Sequence, residues 1–383
     1  MSEWRTYTVG DIAEVFDGPH ATPKKTDSGP WFLSISSLDS GRLKLSESAH
    51  ISEEDFERWT RRVTPTAGDV LFSYETRLGE AALMPDGIRA ALGRRMGLLR
   101  PHLELVEQKF LLLAYLSPEF QQVIHERRIS GATVDRIPLV ELPRWPIRIP
   151  DLATQKRISA TLGTLDDKIA VNDRVTRTAW ELMKSHYEKA LLTETRHATL
   201  GDVAAFSNNR RVPLSSRERE ARIGPYPYYG AAGVVGYVDA FIFSGPHLLV
   251  GEDGSVITPE GRPVTQYAWG DFWVNNHAHV LTGTTISTEL LSIALTFTNV
   301  ASLITGAVQP KLSMSNLRRL EVPLPNIEAI ARLEPVSDAI QQLVRSKTEE
   351  SRRLAALRDV LLPELMSGRL RVKDAEKVVE EAV

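Results

Sequence analysis

Along residues 151–196 and 326–372, apolar side chains recur every three or four positions with polar residues between them. In the first stretch the stripe is Ile158, Leu162, Leu165 and Ile169, continuing to Ala179 and Met183. In the second it is Leu333, Ile340, Val344, Leu354, Leu357 and Leu361. This is the spacing of a helix seam. The first stretch holds no proline, and Gly163 is its only weak helix former. In the second, Pro335 predicts a kink or a delayed start, and Gly368 a stop. Each helix should run for about 35 residues, or about 50 Å. A stripe of that length does not stay solvated, so the two are expected to meet as an antiparallel pair.

Elsewhere the pattern changes. "WFLSISSL", "GDVLFSY" and "RMGLLRP" read as strands within residues 1–150, followed by "QKFLLLAYLSPEFQQVIHERR" as a helix. Within residues 197–325, "YYGAAGVVGYVDAFIF", "HLLVGEDGS" and "QYAWGDFWVNNHAHVLTG" carry strand signals broken by glycine, and "STELLSIALTFTNVASLI" reads as a helix. Each stretch is expected to be a globular α+β unit with a sheet core and a helix near its end. The closing residues 373–383 are short and charged, and read as a mobile or partner-facing tail.

The two units are copies at their edges. "ISGATVDRIPLVELPRWPIRIP" (129–150) aligns without a gap with "ITGAVQPKLSMSNLRRLEVPLP" (304–325), at an offset of 175 residues (304 − 129). "YTVGDIAEVFDG" (7–18) resembles "ATLGDVAAFSNN" (198–209). Starts and ends match and the middles do not, which indicates a duplication whose halves have diverged inside a common frame. In the exit passages Arg136 aligns with Lys311 and Arg144 with Arg319, whereas Val134 aligns with the chemically different Gln309.

At 383 residues the chain is long enough for two domains and a connecting element. Its 42% hydrophobic and 25% charged content are those of a globular protein. Cysteine is absent, so disulfides and thiolate metal sites are excluded. The first residues carry no apolar signal core, and no stretch is long enough to span a membrane, which suggests a cytoplasmic protein. The net charge of −3 argues against non-specific coating of nucleic acid but allows a local basic surface.

Catalytic motifs are missing. No phosphate-binding loop, no His-Glu-x-x-His and no adenine-methylating Asn/Asp-Pro-Pro-Tyr motif is present. Asp86, Glu107 and Lys109 match the order of a metal-dependent nuclease site, but Glu107 and Lys109 open an apolar helical run instead of ending strands. His277 and His279 would share one strand face. They lack an obvious third ligand for a metal, so a structural role or a nucleic-acid contact is favoured over zinc.

Basic and amide side chains cluster where a duplex could be held. Arg94 and Arg95, Arg136, Arg210 and Arg211, and Lys311 suit phosphates or guanine. His20, Thr22, Lys24 and Lys25 lie in a loop of small polar residues. Tyr74, Glu75 and Arg77 offer a cytosine acceptor beside a guanine donor. Tyr229, Asn275, Asn276, His277 and Gln309 are the matching candidates in the second unit. Unlike middles in like frames are what two domains reading two different sequences require.

"ATQKRISATLGTLDDKI" (153–169), the paired exit frames, "GDVLFSYETRLGEAAL" (68–83), "YYGAAGVVGYVD" (228–239) and "NNHAHVL" (275–281) together resemble the specificity subunits of type I restriction–modification systems. The resemblance extends to about residue 372. It implies target-recognition domains at 1–150 and 197–325, alternating with conserved spacer helices at 151–196 and 326–372 that pair as an antiparallel coiled coil with pseudo-twofold symmetry. It further implies a non-catalytic subunit that reads a bipartite asymmetric site on double-stranded DNA. The helices would set the gap and dock the methyltransferase (M) and restriction (R) subunits. S-adenosylmethionine, ATP and Mg would belong to those partners, with no cofactor or metal bound by this chain. The alternatives are a stand-alone site-specific endonuclease and a coiled-coil adaptor without DNA specificity.

Overall fold

In a computed structural model, which describes residues 4–39, 41–131, 134–306 and 308–383, the first long helix spans Leu152–Thr193 and the second Ile327–Met366. Asp151 opens the first by accepting the Thr154 N–H at 2.9 Å and the Thr154 hydroxyl at 2.9 Å. Asn326 opens the second by accepting the Ala329 N–H at 2.8 Å. The second helix therefore starts ahead of Pro335, and the delayed start expected from that proline does not occur. Ser367 follows the helix and Gly368, at φ +75, turns the chain out of it.

The chain forms two units, residues 1–171 with 350–383, and residues 172–349. In the first, Arg5–Thr8 pairs antiparallel with Pro146–Ile149, so the strand that enters the domain lies beside the strand that leaves it. A four-stranded sheet follows the order Ala13–Asp17, Met96–Pro101, Val70–Ser73, Ala81–Leu83. A smaller sheet sets Thr26–Leu33 between Ala49–His50 and Ala90–Leu92, the last pairing being parallel.

The second unit repeats this plan. Thr195–Thr199 pairs antiparallel with Glu321–Pro325. Its main sheet runs Ala204–Phe206, Ala278–Gly283, His247–Gly251, Thr265–Ala268. Its smaller sheet sets Tyr226–Tyr229 between Val234–Val238 and Asp271–Val274, again with one parallel pairing. The main-sheet order and the mixture of senses are thus shared by dissimilar middles, with one addition: Phe243–Ser244 pairs antiparallel with Asp271–Val274 at the edge of the second unit's smaller sheet. The central strands Val70–Ser73 and His247–Gly251 are buried throughout, and such a core strand needs only a short apolar run, which many sequences supply.

The helical stripes pack both on their domains and on each other. Ile158, Leu162, Leu165 and Ile169 share the first core with Leu354, Leu361 and Leu365, and Leu357 packs against it. A fully buried side chain of this kind contributes about 1.5–3 kcal/mol. Across the seam, Lys168 meets Glu350 at 3.6 Å and Arg358 meets Asp166 at 2.9 Å, so the early part of one helix faces the late part of the other and they run antiparallel. In the second unit Met183 and Tyr187 share a core with Leu333, and Ile340 packs against it, while Val344 is half-buried. Burial pushes the pKa of the Tyr187 phenol up, and its hydroxyl donates to the Pro323 carbonyl at 2.8 Å.

Three local expectations change. The helical run at 108–128 is two helices, Gln108–Leu116 and Pro118–Arg127. Ser117 caps the second of these and Pro118 occupies its first turn, where a missing N–H costs nothing. The expected tail at 373–383 is mostly helix, Val372–Ala382, with Ala375 and Val379 buried in the first core. Its Glu376 holds Arg157 with two hydrogen bonds, at 3.0 and 2.8 Å, so it is docked on the first long helix. Finally, His277 and His279 do not share a strand face. The strand begins at Ala278, leaving His277 exposed before it and His279 buried within it.

Candidate nucleic-acid interface

The exit passages are shaped by their glycines. A Cβ on Gly131 would strike the Val134 carbonyl oxygen, and one on Gly306, which also has φ +88, would strike that of Gln309. The tight loops return the chain as a two-bond ladder. Ile129 and Arg136 exchange backbone hydrogen bonds at 2.9 and 3.0 Å, and Thr305 and Lys311 at 2.9 and 2.7 Å. The frame residues Ala132, Thr133 and Ala307 lie outside the described residues.

Each ladder lies beside the end of a main-sheet strand. Val70–Ser73 is followed by Tyr74 and Glu75, and His247–Gly251 by Glu252 and Asp253. The same backbone bonds recur in both units. The Ile137 N–H donates to the Tyr74 carbonyl at 2.8 Å, and the Leu312 N–H to the Glu252 carbonyl at 2.8 Å. The Tyr74 N–H donates to the Arg95 carbonyl at 3.1 Å, and the Glu252 N–H to the His277 carbonyl at 2.8 Å. Arg136 bridges to Glu75, and Lys311 bridges to Asp253.

At this shared station an acid holds a basic or aromatic nitrogen. In the first domain Arg95 Nε lies 2.7 Å from Glu75 Oε2. In the second, His277 Nδ1 pairs with Asp253 Oδ1. The residue after the acid is left-handed in both, Thr76 at φ +69 and Gly254 at φ +73. Thr76 and Arg95, at φ +70, are the non-glycine residues with positive φ among the described residues, and both belong to one ion pair's setting, Arg95 as its base and Thr76 next to its acid. A left-handed L-residue costs about 1–2 kcal/mol. With side chains 33% and 21% exposed, the Arg95–Glu75 pair returns less than about 1 kcal/mol. Stability therefore does not account for the geometry, and such strain concentrates at functional sites.

Behind the second station lies a dense polar network. Arg211 donates to Glu252 at 2.7 Å and to the Ala278 carbonyl at 2.7 Å. Lys311 Nζ lies 3.8 Å from Glu252. His279 Nε2 donates to the Leu312 carbonyl at 2.7 Å, and its Nδ1 accepts from Asn208 at 2.7 Å. Burial drives the pKa of His279 down, so the ring is a neutral tie between the strand and the exit loop. The buried Asn275 accepts the His277 N–H at 2.8 Å and shapes the turn. Behind the first station burial, reinforced by the neighbouring Asp17 carboxylate, pushes the Tyr74 phenol up.

The structure thus brings Glu75, Arg95 and Arg136 together, and separately His277 and Lys311 with Asn276 exposed beside them. Tyr74 and Tyr229 are buried in the cores, with Tyr229 edge-on to Phe272. Arg211 is committed to Glu252. Arg210 is exposed but donates to the Ile242 carbonyl at 2.6 Å and lies over Phe243. Arg77 pairs with Glu80 at 3.0 Å. Arg94, Gln309, Thr22, Lys24 and Lys25 are exposed. His20 pairs with Asp17 at 2.9 Å, on the rim of a cavity of about 450 Å³ that Arg58, Arg61 and Arg62 also line. Asp253 was not singled out by its sequence. The signal was its place two residues beyond a strand, matching Glu75. Glu107 accepts from the Phe110 N–H at 2.7 Å and the Ser159 hydroxyl at 2.6 Å, so the carboxylate of the nuclease-like triplet is engaged in packing. Among the described residues no cluster of His, Asp or Glu could hold a metal ion.

A family model described as the type I restriction modification DNA specificity domain matches residues 1–177 and 194–349. S.HindORF215P of Haemophilus influenzae, assigned as a type I restriction enzyme specificity subunit, is 32% identical over 39% of this chain and 38% of its own length. The match thus spans little more than a third of that relative. The MjaX specificity subunit of Methanocaldococcus jannaschii, likewise assigned, is 22% identical across 97% of this chain and 94% of its own. The crystal structure of a type I restriction–modification S subunit from M. genitalium superposes with a TM-score of 0.55 at 17% identity, covering 95% of this chain and 96% of that one, which shows a shared fold. Two copies of one recognition-domain plan, alternating with antiparallel helices and matched over most of their length by one family model, have a single reading: the chain belongs to the type I restriction–modification DNA specificity family and is a specificity subunit.

Proposed function

We propose that this subunit reads a bipartite, asymmetric site on double-stranded DNA, one half through each domain. One observation carries the reading: a single backbone station occurs in both domains with different side chains on it, Glu75, Arg95 and Arg136 against Asp253, His277 and Lys311. A common scaffold with changed hydrogen-bonding groups is how one fold reads two sequences. Exposed basic residues, Arg94 next to Arg95 and Lys24 and Lys25 in the loop after Asp17, supply phosphate contacts.

The chain itself is non-catalytic in this reading, and works in the cytoplasm. Its long helices space the two half-sites and dock methyltransferase subunits, with a restriction subunit joining the complex. S-adenosylmethionine, ATP and Mg are bound by those partners. No helix among the described residues is long and apolar enough to cross a membrane.

The test is to express the chain with a partner methyltransferase subunit and map methylated adenines in the host genome. One motif with two specified halves around a fixed gap is expected. Absence of any bipartite motif overturns the proposal. Cutting by the purified chain with Mg²⁺ alone, abolished by Asp86→Ala, would restore the endonuclease alternative.

A further inference from the structure

We infer that the acid–base pair at each station is a base-reading element, and that it presents donors in the first domain and an acceptor in the second. The inference rests on the DNA-recognition role proposed above and gives each station its chemistry.

In the first domain Glu75 engages Arg95 through Nε. The two terminal nitrogens of the guanidinium make no hydrogen bond to protein among the described residues, and the close carboxylate holds the group at the station. A held fork of N–H donors matches the O6 and N7 acceptors of guanine in the major groove.

In the second domain Asp253 engages His277 through Nδ1. A carboxylate only accepts, so Nδ1 carries a proton, and in the neutral ring Nε2 is left as the acceptor. Nε2 has no protein partner among the described residues, and the His277 side chain is 48% exposed. A single acceptor held there suits a base amino group, N6 of adenine or N4 of cytosine, and is mismatched to the acceptor edge of guanine. The two domains thus hold opposite hydrogen-bonding polarity on equivalent backbone.

The structural surroundings favour reading over packing. Both acids sit in a turn whose next residue is left-handed, Thr76 in one domain and Gly254 in the other. The exit ladder braces each acid from the far side through Arg136 or Lys311. The paired side chains are partly exposed, and the groups that tie each station to its core lie behind them, Tyr74 in one and Glu252 with His279 in the other.

The experiment uses the full chain assembled with its methyltransferase partner, challenged with a randomised duplex DNA library, and the bound fraction is sequenced. Arg95→Gln is expected to reduce the preference for guanine at one position of one half by at least about fivefold and to leave the other half unchanged. His277→Arg is expected to switch one position of the other half from an amino-bearing base to guanine. His277→Gln, which keeps an acceptor, is expected to retain the original base. If assembled Arg95→Gln or His277→Arg selects the same bases as the parent, the inference is overturned. Should His277→Arg fail to assemble, His277→Leu, which removes the acceptor and is expected to lose the preference at that position, decides for that half. A parent complex that enriches no bipartite sequence instead overturns the recognition role itself, a result distinct from unchanged selection by the variants.

Discussion

The Ser159 hydroxyl donates to Glu107 Oε2 at 2.6 Å, joining the first long helix to the cap of the domain helix Gln108–Leu116. The second copy makes the same junction with the chemistry exchanged. There Ser287 caps the domain helix Thr288–Leu295, and Glu334 on the second long helix accepts the Ser287 N–H at 2.9 Å. Ser159 and Glu334 stand at the offset of the exit passages, 175 residues (334 − 159). In one copy the domain supplies the acid and the long helix a hydroxyl, and in the other the long helix supplies the acid and the domain a backbone N–H.

Ser159→Ala should lower stability by about 1.5 kcal/mol, the scale of a hydrogen bond to a charged group. Ser159→Glu, which gives the first helix the second helix's residue, sets two carboxylates together and should destabilise more. Thermal unfolding of both variants beside the parent checks the order. A Ser159→Glu chain as stable as the parent would show that the junction tolerates either pairing.

Asp151 sets the pH response at the start of the first helix. The Thr154 N–H, followed by the Thr154 hydroxyl, holds its carboxyl below the ordinary range. A carboxyl lowered on folding stabilises fully above its unfolded value of about 3.9, and this contribution is lost as pH falls through the lower folded value. Asp151→Ala should therefore cost about 1 kcal/mol at pH 7, the usual loss of a cap. The difference should shrink towards pH 3. Urea midpoints measured across that interval for parent and variant read the effect, and a constant difference would exclude the carboxylate as its source.

The C-terminal helix should hold mainly by its apolar face. The Arg157–Glu376 side chains are 51% and 34% exposed, so a double-mutant cycle between them should give less than about 1 kcal/mol. Val379 is buried in the first core, and Val379→Asp places a charge there. Hydrogen exchange should show residues 372–382 losing protection in Val379→Asp and keeping it in Arg157→Ala. Equal loss in both would put the ion pair ahead of the core.

The repeat was legible because its edges carry backbone demands. Gly131 and Gly306 are required where a Cβ would meet a carbonyl, so the passages around them stayed alike. The long helices were legible from the spacing of Ile158, Leu162 and Leu165, which a coil does not impose. The two stations were half legible. Glu75, Arg95, Arg136, His277 and Lys311 announced themselves by residue type, but their meeting is set by strand pairing far along the chain, and Asp253 shows its role only once Gly251 is placed opposite Ala278. Tyr74 and Tyr229 misled because a tyrosine among polar residues or beside glycine reads as a surface loop, while each ring here fills a core. The closing helix was hidden by its charge. Val372, Ala375, Val379 and Ala382 recur at three- and four-residue spacing, so a helical stripe was there to be read, but the segment is short and the charged residues between them made it look like a solvated tail.

The pairing of Arg5–Thr8 with Pro146–Ile149, and of Thr195–Thr199 with Glu321–Pro325, gives each domain a clasp. Everything between the clasped strands is an excursion whose two ends are held side by side. Inheritance acts on such an object differently from an ordinary domain. Crossovers at two sites that meet in space replace the whole interior and leave a single seam, with the long helices untouched. Under the proposed division of labour the specificity of one half then changes in one generation, without a lineage of intermediates that read neither the old sequence nor the new.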